Sequence, residues 1–355
     1  MPQQANRQDR GTRRLVVTIL TIFTALVGVG LILFTSPSSN PRHHGAARTP
    51  APSAGAPATA RPFAANSAWN APVPAGTPLS PNSGKYVSEL GTQLRQAGAW
   101  INATQFSVPV YTVGPDTPRV PVTLDTSGGS ADRLASDFRA GVPIPSGARA
   151  AAGTDAHLVI WQPSHNTLWE FWQARLVNGS WHARWGGKMP DVAQSPGYFT
   201  NPTDWGGTGT SLSLLGGLMR INELKAGHID HALALSIPHA QAGHFVYPAQ
   251  RSDGNDPNSG QIPEGTRFRL DPKLNIAAMK LPSMTKMIAI AAQRYGIIVR
   301  DQAGSVAFYA EDPTPTKTDP YGGPHGLFDG LSAAALLRVF PWSHLQVVSP
   351  SWNHH

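Results

Sequence analysis

The sequence predicts a mainly β protein, an antiparallel β-sandwich or jelly-roll-like fold with a few covering helices, with an α+β arrangement as the alternative. Three observations lead there. Stretches rich in β-branched and aromatic residues, such as HLVIW, TLWEFWQARLV and SWHARWGG, outnumber helix-periodic ones. Many are joined by hairpin-length turns, and Asn178-Gly179 is the dipeptide that a tight type I′ turn prefers. Strand and helix do not alternate regularly and no Gly-rich phosphate loop follows a strand, which disfavours a doubly wound parallel sheet. Helix-to-strand joints near Gly227 and Gly296 keep the α+β alternative open.

The chain opens with a basic tail, residues 1–14, which carries Arg7, Arg10, Arg13 and Arg14. Residues 15–34 follow without one charge, and at about 1.5 Å per helical residue they span roughly the 30 Å of a bilayer core. With arginines on its N-terminal side, the run predicts a single-pass anchor in the cell membrane, with the N-terminus cytoplasmic and the main domain extracytoplasmic. It is longer than the apolar core of a cleaved signal peptide, about 7 to 15 residues, although Ala46-Ala47 and Ala58 offer cleavage sites further on. Residues 35–62 are dominated by Pro, Ala, Ser and Thr, without a large apolar side chain to offset ordering entropy, and read as a spacer. Residues 63–355 then form a single β-rich domain.

Within that domain Trp69 anchors the start. Val87, Leu90 and Leu94 line one face of a helix over 83–97. FSVPVYTV and RVPVTL read as strands whose prolines place them at edges or bulges. On the central strand of the meander Glu170 and Trp172 share one face, while Trp169, Phe171 and Gln173 share the other. LLGGLMRINELKAG reads as a helix closed by Gly227, followed directly by the strand HIDHALALSIP. HFVYPA and TRFRL are further strands. A helix over 283–295 closed by Gly296, the strands IIVRD and SVAFYAE, a helix over 331–340 and the strand HLQVVSP complete the chain.

Composition narrows the function by exclusion. The whole chain carries +7, but residues 1–62 hold seven of its 28 basic and one of its 21 acidic residues, leaving 21 against 20 beyond them. A nearly neutral domain has little means of holding a polyphosphate backbone, so no nucleic acid partner is expected. The absence of Cys excludes disulfides, thiolate nucleophiles and Cys-ligated metals.

The blocks SAWNAPVP (with a Trp-Asn-x-Pro core), Arg220-x-x-Glu223, and Gly227-x-Ile229-x-His231-Ala232-Leu233 resemble a family of exported bacterial proteins to which no activity is attached. The likeness extends through FVYPAQR, PEGTRFRL and QRYGIIVRD. It implies export and a domain that starts near Phe63, and leaves function to the residues.

The densest polar cluster in apolar sequence is Arg220, Glu223, His228, Asp230 and His231. A surface Arg220–Glu223 pair at i, i+3 is its plain structural reading, and His231 shares a strand face with Leu233 and Leu235. Glu170, walled by indoles, is the expected general acid, since desolvation raises a carboxylate pKa; the alternative is a structural pair with Arg175 or Arg184. Asp191 or Glu223 would then be base or nucleophile. His157, Trp169, Trp172, Tyr247 and Arg251 are the expected substrate-binding residues.

No cofactor and no metal is expected. The loop Asp253, Asn255, Asp256, Asn258 offers oxygen ligands but departs from the EF-hand pattern, His228-x-x-His231 has poor zinc spacing on a strand, and the Gly206–Ser211 run lacks the Lys of a phosphate loop and the flanks of a nucleophile elbow. The expectation is a membrane-anchored carbohydrate-active protein, a glycoside hydrolase or polysaccharide lyase. In the lyase variant His231 or a Tyr is the base and Arg220 or Arg251 neutralises a uronate. Its partners would be a glycan or cell-envelope polymer and, through residues 15–34, a lipid bilayer. The alternative is a non-catalytic glycan-binding or envelope scaffold protein.

Overall fold

A computed structural model of the chain describes residues 61–352. The basic tail, the predicted span and nearly all of the linker lie outside the described residues, among which no helix is long and apolar enough to cross a membrane. In chain order the elements are α1 (Ser83–Ala97), β1 (Ala99–Asn102), β2 (Val110–Thr112), β3 (Val122–Leu124), α2 (Ser130–Arg139) and β4 (Leu158–Gln162). Next come β5 (Thr167–Trp172), β6 (Arg175–Val177), β7 (Ser180–Ala183), β8 (Trp185–Met189), α3 (Ile221–Ala226), β9 (Leu233–Ile237) and β10 (Ala240–Phe245). The last are β11 (Ile262–Glu264), β12 (Arg267–Leu270), α4 (Ser283–Arg294), β13 (Ile297–Gln302), β14 (Val306–Tyr309), α5 (Ala333–Arg338) and β15 (Leu345–Val347).

The fold is mainly β with few helices, as its sequence predicts. A six-stranded sheet has the order β1-β14-β9-β13-β12-β15, a four-stranded sheet β2-β4-β5-β8, and two smaller sheets pair β3-β7-β6 and β10-β11. The pairing is mixed where antiparallel strands were expected: β9 and β13 run parallel, as do β1 and β14, β2 and β4, and β3 and β7. These partners are distant in sequence, so no tight turn announces them.

Strand β9 is buried on both faces and reads as a nearly continuous apolar run, as does the first half of β13, residues 297–299, before Arg300, Asp301 and Gln302. Leu233, Leu235, Ile297 and Val299 join α1, α4 and α5 in one core, which includes Leu90, Ile288 and Leu336. Ala234, Ile298 and Tyr309 face the other way, into a second core with Val159, Leu168 and Phe171 of the four-stranded sheet. The six-stranded sheet is thus the middle layer. Trp69 is 1% exposed in the second core, and its indole N–H donates to the Gly197 carbonyl at 2.9 Å.

Local signals hold at several joints. Helix α1 covers the expected residues, Asn178 and Gly179 both take positive φ between β6 and β7, and Gly227 and Gly296 take left-handed φ of 83° and 91°. Several boundaries move: the helix expected from LLGG onward is only Ile221–Ala226, the last helix is Ala333–Arg338, and the strand expected at HFVYPA is Ala240–Phe245. The segment TLWEFWQARLV breaks at Gln173, whose φ of 53° swings the chain from the four-stranded sheet into the three-stranded one. The strand after Gly227 begins only at Leu233, so His231 precedes it and shares no strand face with Leu235.

Candidate active site

One end of the seam between the two large sheets opens into a cavity of about 830 Å³. Strand β13 reaches it still paired with β9, and a register shift between Val299 and Asp301 re-aims the residues that follow. Four aromatic side chains wall the cavity: Trp100 of β1, Phe106, Trp172 at the end of β5 and Trp185 at the start of β8. Its polar lining includes Asp155, His157, Arg251, Asp253, Asp301 and Tyr309. The backbone of residues 206–209 closes one side.

Asp253, Asp301 and Glu264 bring one carboxylate oxygen each within 4.8 Å of one another, a spacing at which like charges disfavour each other's ionisation and a hard cation could be held. Glu264 lies at the end of β11, fully buried behind the other two, and its Oε2 accepts the Asp253 backbone N–H at 3.1 Å. Burial, and then the neighbouring Asp253 charge, push Glu264 up to about 9. The same two causes raise Asp301 to about 7, against the Arg300 charge and the N–H of Gly209, which donates to its Oδ1 at 3.4 Å. Gly209 is required by close approach: a Cβ there would fall on the Asp253 carboxylate. Arg251 donates to the Thr208 carbonyl at 2.8 Å and lies in the field of Asp204, Asp253, Asp301 and Glu264. Burial drives His157 down to about 4, so its imidazole is neutral at physiological pH. Beneath the cavity the Arg300 guanidinium stacks 4.0 Å from the Tyr309 ring and donates to the carbonyls of Leu214 and Gly216.

The chain matches no family model, no curated protein and no solved structure. The site is therefore read from its own residues.

Of the ten residues expected at a site, three line this cavity: His157, Trp172 and Arg251. Glu170 does not. It shares a strand face with Trp172, but two residues further in, where it is fully buried between the sheets. Its Oε1 accepts the Gly207 N–H at 2.9 Å, and its Oε2 accepts the Ser213 hydroxyl at 2.8 Å and the Leu214 N–H at 2.9 Å. Burial raises its pKa as expected, yet no substrate reaches it; it pins the loop that forms the cavity wall. The alternative pairing with Arg175 is also corrected, since Arg175 binds Asp125. Trp169 is sealed at 1% exposure beneath the Arg119 guanidinium.

Arg220, Glu223 and His231 come together elsewhere. Arg220 makes a two-pronged contact with Glu311, at 2.9 and 3.2 Å, instead of pairing with Glu223. Glu223 caps α3 by accepting the Arg220 N–H, and its Oε2 also meets His231 Nε2 at 3.1 Å. His231 Nδ1 faces the Ala232 carbonyl at 2.7 Å, so both ring nitrogens meet acceptors and the imidazolium is favoured. The void beside them holds only about 20 Å³, which makes this cluster architecture. Asp191 is exposed ahead of a 3₁₀ turn, away from every other candidate's cavity. Tyr247 lines a separate cleft with Arg267 and Trp352.

Sequence reasoning missed Asp155, Glu264, Asp301, Trp100, Phe106 and Trp185, and dismissed Asp253 with its loop. One signal was available: IIVRD ends a fully apolar strand in two charges, where a buried strand emerges from the core.

Proposed function

We propose that the chain is a membrane-anchored extracytoplasmic glycoside hydrolase acting on an envelope or environmental glycan. The observation that carries this reading is the Asp253, Glu264, Asp301 cluster beneath four aromatic walls. Indole faces stack on sugar rings, and paired carboxylates supply the acid and the nucleophile of glycoside cleavage. Asp301 suits the acid role because it lines the cavity and holds its proton near neutrality. Asp253, also on the cavity lining, suits the nucleophile, with Glu264 behind it fixing its backbone.

In this scheme Asp301 protonates the glycosidic oxygen while the Asp253 carboxylate attacks the anomeric carbon. Water then hydrolyses the glycosyl ester, with Asp301 accepting the proton. Oxygens within 4.8 Å lie nearer the carboxyl separation of retaining enzymes, about 5 to 5.5 Å, than that of inverting ones, about 6.5 to 9.5 Å. The lining sets Arg251 alone against Asp155, Asp253 and Asp301, too little positive charge to neutralise a uronate, which favours hydrolysis of a neutral glycan over the lyase variant.

The test is the full-length protein on a panel of envelope and plant polysaccharides, read by new reducing ends, by absorbance of unsaturated uronates and by the anomer first released. Cleavage with retained configuration, insensitive to chelator and lost in Asp301→Asn and Asp253→Asn, is the expected result. Unsaturated products would transfer the reading to a lyase. Binding without any cleavage would reduce it to a glycan-binding protein.

A further inference from the structure

Beside the first cavity lies a second, of about 440 Å³, and the two share Trp100 and Gln105. Trp100 is the ridge between them. It stands on β1, the edge strand of the six-stranded sheet, and keeps 47% of its surface exposed, an unusual cost for an indole that no element covers. Across the second cavity stand Asp319, Phe328 and Leu331, the last 41% exposed. Asp319 Oδ1 accepts the backbone N–H of Tyr321 at 2.8 Å, while Oδ2 takes no hydrogen bond among the described residues and is available to a hydroxyl. Gly322, Gly323 and Gly330 contribute no side chains to the walls, leaving width for a ring.

We propose that the second cavity is a glycan subsite continuous with the first, so that the ligand is a neutral polysaccharide lying across both, with a sugar ring stacked on Trp100. This extends the hydrolase reading to a polymeric substrate cut within the chain. An enzyme that trims terminal sugars needs one blind pocket; two cavities joined over an exposed indole fit a chain that passes through. The carboxylate cluster belongs to the first cavity and the second has only the single carboxylate Asp319, so cleavage happens in the first and the second supplies binding.

The experiment is electrophoresis of the full-length protein through native gels that contain glucomannan, xyloglucan, arabinoxylan, mixed-linkage β-glucan or glycol chitin, with polygalacturonate as the anionic control. Retardation in at least one neutral gel is expected. Trp100→Ala and Leu331→Arg, the second filling the cavity without touching β1, should each weaken it tenfold or more with unchanged melting temperature. On oligosaccharides cut from the same polymer, affinity should rise with length in the wild type and level off early in both subsite variants. Wild-type retardation in no gel, or full retardation of both subsite variants, overturns the proposal. Retardation that depends on Trp100 in a protein that cleaves nothing would leave the subsite standing and sink the hydrolase reading.

Discussion

Glu170 and Asp301 are both carboxylates raised by burial, and their surroundings separate their roles. Glu170 is enclosed by two backbone N–H groups and the Ser213 hydroxyl, so it meets donors on every side. Replacing it with Ala strands those donors at roughly 1 to 3 kcal/mol each, and the melting temperature should fall by roughly 5 to 15 °C. Calorimetry or circular dichroism reads this directly, and an unchanged melt would mean the loop at 206–214 is held by something else. Asp301 instead faces a cavity and the like charge of Asp253. Asp301→Asn removes that repulsion, so stability should hold or rise while turnover falls by a factor on the order of 10² to 10⁴. A general acid acts only while protonated. The wild-type rate should therefore decline as pH rises through about 7, the value to which Asp301 is raised, and a profile flat from 6 to 8 would assign the proton elsewhere.

Helix α3 is too short to be stable alone, and its placement rests on charges from outside it. Arg220, just before it, is clamped by Glu311, whose Oε2 also takes the Ile221 N–H at 2.9 Å, while Glu223 within it receives His231. Despite the largest influence, burial, which acts in the opposite direction on each, Glu223 is lowered from 4.5 by His231, and His231 is raised from 6.5 by Glu223. The signs define a window. The lowered Glu223 contributes stability that is present above 4.5 and is lost as pH falls; the raised His231 contributes stability that is complete below 6.5 and is lost as pH climbs through its raised value. Thermal melts should thus show a pair contribution greatest between those two values. His231→Gln should be destabilised there and lose that part of the pH dependence, whereas a variant that keeps the wild-type profile would show that the pair is not coupled to folding.

At the scale of the molecule, both cores are assembled from Phe63 onward, around one middle sheet that carries α1, α4 and α5 on one face and the four-stranded sheet, with α2 in the same core, on the other. Removing residues 1–60 should leave a soluble domain with a mainly β circular dichroism spectrum and one cooperative transition. Aggregation or a broad, non-cooperative melt would place essential contacts in the deleted segment. The same layering explains the cavity, since the seam between two sheets closes where apolar side chains interdigitate and opens where β13 ends in Asp301 and Gln302.

The β-rich class, the helix at 83–97, the turn at 178–179 and the glycine joints at 227 and 296 were legible in the sequence because each depends on neighbours in the chain: periodicity, positive φ and capping are local. His157, Trp172 and Arg251 were legible as chemistry in search of a place. Parallel pairing, the sealing of Glu170 and the meeting of Asp253, Glu264 and Asp301 were decided only by tertiary structure. A carboxylate's role depends on which donors and charges surround it. Glu170 and Trp172 share a strand face two residues apart, yet one lies within the seam and the other at its mouth, a difference set by where the opposing sheet ends.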